Sequence, residues 1–96
     1  MEITSEQRRY LRAQAHHLNP VVMIGDAGLS ENVVKEIERG LASHELIKIK
    51  VQGGDKETRD GMLADICAQL DAAPVQHIGK TLVIYKPAEK PKLVLP

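Results

Sequence analysis

Apolar residues recur along this chain with two periods. Leu11, Ala15 and Leu18 stand at i, i+4 and i+7, the spacing of one helix face. They predict a helix over about residues 5–17 with those three side chains buried. Thr4-Ser5-Glu6-Gln7 sets its start, with Thr4 as N-cap and Gln7 at N3 of a capping box. Asn19-Pro20 ends it, because the residue before proline avoids α geometry. Val21-Val22-Met23-Ile24 is an unbroken β-favouring run and predicts a buried strand. Val33, Val34, Ile37 and Leu41 return to helical spacing over about 31–43, with Ser30 as N-cap. Gly40 weakens the last turns of that helix. From Leu46 to Val51 the pattern alternates: Ile47, Ile49 and Val51 point one way, Leu46, Lys48 and Lys50 the other. This predicts a strand with one buried face.

The second half repeats the scheme. Asp55 is the N-cap of a third helix over about 56–71, with Met62, Leu63, Ile66, Cys67 and Leu70 inward. Ala72-Ala73-Pro74 breaks it. Val75–Ile78 and Thr81–Lys86 are strands joined by the two-residue turn Gly79-Lys80. The last strand is apolar on both faces, as a central or doubly covered strand would be. Three prolines from Pro87 onward predict an extended tail over 87–96, pinned by Leu93-Val94-Leu95. The order is α-β-α-β-α-β-β in one domain over 1–96, of the α+β class or a mixed-sheet α/β sandwich.

Composition narrows the function. Tyr10 and Tyr85 are the only aromatic side chains of the 96 residues, so the core is aliphatic and base stacking on aromatics is nearly excluded. The single cysteine, Cys67, suits a reducing compartment. No apolar run approaches the roughly 20 residues that span a bilayer, and no signal peptide is present. A cytoplasmic protein that needs no membrane is expected.

Net charge is zero, but its distribution is uneven. Arg8, Arg9, Arg12, His16 and His17 form an acid-free run. Lys80, Lys86, Lys90 and Lys92 face Glu89 alone. Acids gather at Glu31, Glu36 and Glu38 and from Asp55 to Asp71. Such a split is compatible with a basic face on a neutral protein; scattered solvated charge is the plainer alternative. Between the first strand and the second helix lies Gly25-Asp26-Ala27-Gly28. A loop without bulk at a helix N-terminus brings free N–H groups and the positive end of the helix dipole to a phosphate, as the GXXG loop of KH domains does to RNA. A plain β-to-α turn explains the same four residues.

Traces of enzyme chemistry are missing. Cys67 lies on the apolar stripe of a helix, the place of an inert thiol. His16 and His17 are helix neighbours and cannot face one metal, while His44 and His77 lack partner ligands at useful spacing. Asp55, Asp60 and Asp65 read as a solvated helix face. No phosphate-binding Walker loop, dinucleotide fingerprint or nucleophile elbow occurs. The expectation is a protein that is not an enzyme and takes no cofactor, metal or small-molecule substrate.

Four segments carry a family resemblance: Ala15-His16-His17-Leu18-Asn19-Pro20-Val21-Val22, Ile24-Gly25-x-x-Gly28-Leu29, His44-Glu45-Leu46-Ile47-Lys48-Ile49-Lys50 and Ile78-Gly79-Lys80-Thr81-Leu82-Val83-Ile84-Tyr85-Lys86. Over about residues 4–96 the chain resembles the YhbY-like proteins, stand-alone bacterial members of the CRM domain family (chloroplast RNA splicing and ribosome maturation). The resemblance implies a four-stranded mixed sheet with three helices, similar to the C-terminal domain of bacterial translation initiation factor three. It also implies a factor that binds ribosomal RNA in precursors of the large subunit. Carried over by position, the RNA loop falls on Gly25, Asp26, Ala27 and Gly28. Family loops often hold a basic or neutral polar pair where Asp26 and Ala27 stand; Asp26 suits a local turn cap that leaves the amides free. The expected interface has the loop placing one phosphate while Arg8, Arg9, Arg12, Lys48, Lys50, Lys80 and Lys86 supply charge to a monomer. A protein-docking module on a ribosomal protein or assembly factor is the competing expectation.

Overall fold

The structure is a computed structural model describing residues 1–96. Its elements are α1 (Ser5–Ala15), β1 (Pro20–Ile24), α2 (Glu31–His44), β2 (Leu46–Val51), α3 (Lys56–Leu70), β3 (Ala73–Ile78) and β4 (Thr81–Tyr85). The strands form one mixed sheet in the order β1-β2-β4-β3. β1 and β2 are parallel, which requires a crossover, and α2 supplies it. β4 is antiparallel to both neighbours and is central, one of the two places its apolar run allows. No helix is long and apolar enough to cross a membrane.

All three helices start where a side chain can cap them. Thr4 Oγ1 accepts from Gln7 N–H at 3.0 Å while Gln7 Oε1 accepts from Thr4 N–H at 3.0 Å. Ser30 and Asp55 accept from the amides of Val33 and Thr58. The Asp55 carboxyl is held below its usual range, chiefly by the Thr58 N–H.

Helices cover the two sheet faces unequally. α2 and α3 bury one face completely, through Ile24, Ile37, Ile47, Ile49, Ile66, Leu82 and Ile84 among others. The opposite face holds only α1, over a core of Leu11, Ala15, Leu46, Val75, Val83 and Tyr85. This smaller core lies at one end of the sheet, where Leu46 pairs with Tyr85. The other half of that face is open. Leu46 is therefore buried although it alternates with lysines, so β2 has one fully covered and one half-covered face.

Four expectations are corrected here. α1 stops at Ala15, and Leu18 lies in the following turn, its N–H donating to Ala15 O at 3.0 Å. Off the helix, Leu18 leaves the stripe and is 38% exposed. Met62 and Leu63 of α3 are only half-buried against the core. β3 begins at Ala73 and takes Pro74 into the strand; an edge strand with an irregular register at Pro74/Gln76 tolerates a missing N–H.

The tail is pinned, and the pin is Glu45. This residue follows α2 with φ 65 and is 2% exposed. Its Oε1 accepts from the amides of Lys92 (2.8 Å) and Leu93 (3.1 Å), its Oε2 from Ala88 (3.0 Å). Burial alone would raise this carboxyl, but those three N–H donors and the Lys92 charge outweigh it and hold it below its usual range. Leu93 and Leu95 then pack on the α1 core, whereas Val94 between them is exposed.

Candidate nucleic-acid interface

Three turns meet at the open end of the sheet. Ile24 pairs with Val51, and Val51 N–H donates to Lys80 O at 2.8 Å. The Gly25–Gly28 loop after β1 and the Gly79-Lys80 hairpin are therefore two strand spacings apart, about 10 Å. The Gln52–Asp55 loop lies between them, tied to the first by Gln52 N–H donating to Ile24 O at 2.8 Å.

The glycine loop is a turn closed by Gly28 N–H donating to Gly25 O at 3.0 Å, with Ser30 N–H donating to Gly28 O at 2.9 Å. Gly28 has φ +67, a left-handed conformation open to glycine, and a Cβ there would meet nothing within 4 Å. The loop is not plugged. The N–H groups of Asp26, Ala27 and Leu29 have no intramolecular acceptor, and Asp26 and Ala27 are exposed just before the positive end of α2. Asp26 is exposed and caps nothing: its carboxylate has no hydrogen bond or ion pair.

Cations line the open half-face next to these turns. Lys48 and Lys50 project from β2 on the α1 side, about 6.8 Å apart along the strand. Lys50 stands between Met23 and Thr81 in the register. Lys80 is exposed at the hairpin. Arg12, His16, His17 and Lys48 line one cleft between the C-terminal half of α1 and the open sheet. Arg9, Arg12, Lys48, Lys50 and Lys80 take part in no ion pair. The acids Glu31, Glu36, Glu38, Glu57, Asp60 and Asp65 ride on α2 and α3, which pack on the other face.

Two candidate cations stand apart. Arg8 is on α1 but donates its Nε to Pro74 O at 3.3 Å, on edge strand β3. Lys86 is at the opposite pole, because β4 runs away from the glycine turns. Its Nζ donates to Leu70 O at 2.7 Å and satisfies a carbonyl at the C-terminus of α3. Lys86 therefore does not belong with Lys80.

Sequence reasoning missed one network. His77 Nδ1 bonds Asp60, Arg59 Nε donates to His77 Nε2 at 3.3 Å, and Arg59 Nη1 donates to Gly54 O at 2.7 Å. Asp60 is thus not merely a solvated charge. His77 Nε2 also lies 3.0 Å from Gly79 O; that contact needs a proton on Nε2 while the Arg59 bond needs its lone pair, so one forms at a time. The cluster ties the Gln52–Asp55 loop to the hairpin. The only sequence signal is the presence of Arg, Asp and His, without a spacing that joins them.

The CRS1/YhbY (CRM) domain model matches residues 3–86. The chain belongs to this family. An RNA-binding protein of Haemophilus influenzae is 49% identical over 94 residues, covering 98% of this CRM chain and 95% of its own. The probable RNA-binding protein YqeI of Bacillus subtilis is 34% identical over 92 residues, covering 96% of each. The solution structure of the hypothetical protein SAV1595 from Staphylococcus aureus matches this CRM fold with a TM-score of 0.87 at 33% identity, over 99% of this chain and 100% of that one.

Proposed function

We propose that this CRM protein binds RNA as a single copy in the cytoplasm, and that its target is ribosomal RNA in large-subunit precursors. The supporting observation is the unplugged Gly25–Gly28 turn at the same end of the sheet as Lys50 and Lys80, with Lys48 and Arg12 unpaired further along the open half-face. Backbone amides take a phosphate without side-chain bulk, and the lysines neutralise its neighbours. The names of the relatives and the family match support the RNA partner.

Salt tests it. A protein that neutralises Z phosphates on single strands loses affinity with a slope of about −0.7Z in log–log form. The expected slope for a large-subunit RNA fragment corresponds to about three or four contacts, and Lys48→Glu/Lys50→Glu/Lys80→Glu should abolish binding. A flat response would refute the reading. The observation favouring a second reading, docking on a ribosomal protein or assembly factor, is the unpaired Asp26 carboxylate between the glycines. In-cell crosslinking followed by sequencing tests the ribosomal assignment, which fails if no large-subunit RNA is enriched.

A further inference from the structure

The open half-face carries something that phosphate binding does not use. Ile78 is 57% exposed and Met23 51% exposed. They flank the row Met23–Lys50–Thr81–Ile78 across β1, β2, β4 and β3. Beside this row, Arg12, Ala13, His16, His17, Lys48, Gln76 and Ile78 line a cleft of about 500 Å³, a size that suits one small ligand. Its floor is partly apolar, its walls are cationic, and no acid lines it. Gln76 offers both a donor and an acceptor.

We propose that this cleft holds one unstacked nucleotide of single-stranded RNA, which rests on the RNA-binding reading above. Ile78 is the flat apolar support for the base, in a protein with almost no aromatic side chains to serve. Gln76 meets the base edge, and Arg12 and Lys48 meet the flanking phosphates. From there Lys50 and Lys80 lead the strand towards the Gly25–Gly28 amides. The concave shape selects a single strand: a paired stem keeps its bases inside the helix, where an amide and an aliphatic side chain cannot reach them.

The test is fluorescence anisotropy of the full chain with labelled oligouridine and oligoadenine octamers and with a fully paired RNA hairpin carrying as many phosphates. The single strands should bind at least about tenfold tighter than the hairpin. Ile78→Ala should weaken single-strand binding about fivefold, the effect of losing about one buried methylene of apolar contact, without changing hairpin binding. Gln76→Ala should change the ratio between the two octamers. Both side chains are at least partly exposed, and a thermal melt of each variant checks folding. Photo-crosslinking of wild-type protein to a 4-thiouridine octamer reads the same point without a variant: adducts on residues 76–78 or 16–17 support the cleft, and adducts confined to 25–28 overturn it. Equal binding of strand and hairpin, with Lys50→Glu weakening both and Ile78→Ala neither, also overturns the cleft while leaving RNA binding standing. Binding of neither RNA at low salt overturns both.

Discussion

Replacing Glu45 with alanine should unpin the tail. The carboxylate receives three backbone N–H groups and is 2% exposed. Left buried without an acceptor, each amide would cost about 1–3 kcal/mol. The tail can instead swing into water, which caps the loss at what docking contributes. Leu93 and Leu95, each half-buried, account for about 1 kcal/mol apiece, and the charge-assisted bonds add about 1 kcal/mol net. The expected loss is about 3 kcal/mol, or a fall in Tm of about 12–24 °C for a domain of this size.

Glu45→Gln should fall between. An amide keeps one oxygen for Lys92 and Leu93 and turns its NH₂ against the Ala88 N–H. Glu45→Gly should lose about 1 kcal/mol less than Glu45→Ala, because φ 65 is strained for any residue with a Cβ. Calorimetry gives Tm, and amide exchange at residues 88, 92 and 93 gives the local effect. A Tm shift under about 2 °C with those amides still protected would refute the reasoning. The pH dependence has a definite sign. The folded-state carboxyl is depressed from its ordinary 4.5, so its contribution is complete above that value and disappears as pH falls through the folded one. The stability gap between wild type and Glu45→Ala should be flat near neutrality and close in acid.

Other outcomes follow from the same geometry. Asp26→Asn removes a carboxylate from the loop; at about 6 Å in a wet surface site this is worth about 1 kcal/mol, so RNA affinity should rise about fivefold in the anisotropy assay. Gly28→Val places a Cβ that meets nothing within 4 Å but is strained at φ +67, so chemical denaturation should show a loss of about 1–2 kcal/mol, and RNA binding should fall as the turn opens. Burial pushes the Cys67 thiol up to about 11, so a thiol reagent at neutral pH should label it at the rate of unfolding, and fast labelling of native protein would contradict that burial.

Local signals were legible and distant ones were not. Thr4, Ser30 and Asp55 bond amides three residues ahead, so four-residue windows contain the whole interaction. The Gly25–Gly28 turn closes on itself in the same way. Leu18 misled because a helix face extends only as far as the helix, and α1 ended at Ala15. Lys80 and Lys86 look alike in sequence, yet β4 spans the sheet between them and sends one to the glycine turns and the other to the end of α3. His77 seemed partnerless because Arg59 and Asp60 are 18 and 17 residues away.

By itself the sequence determined the seven elements, their caps, the apolar run of β4 and the turn without bulk, because those depend on periodicity and on contacts within a few residues. The tertiary structure decided which cations share a surface, why half of one sheet face stays open, and that Glu45 grips a tail 43–48 residues further on. Those outcomes depend on how strands order and where helices lie across them. Such pairings join distant residues whose types carry no mark of the partner.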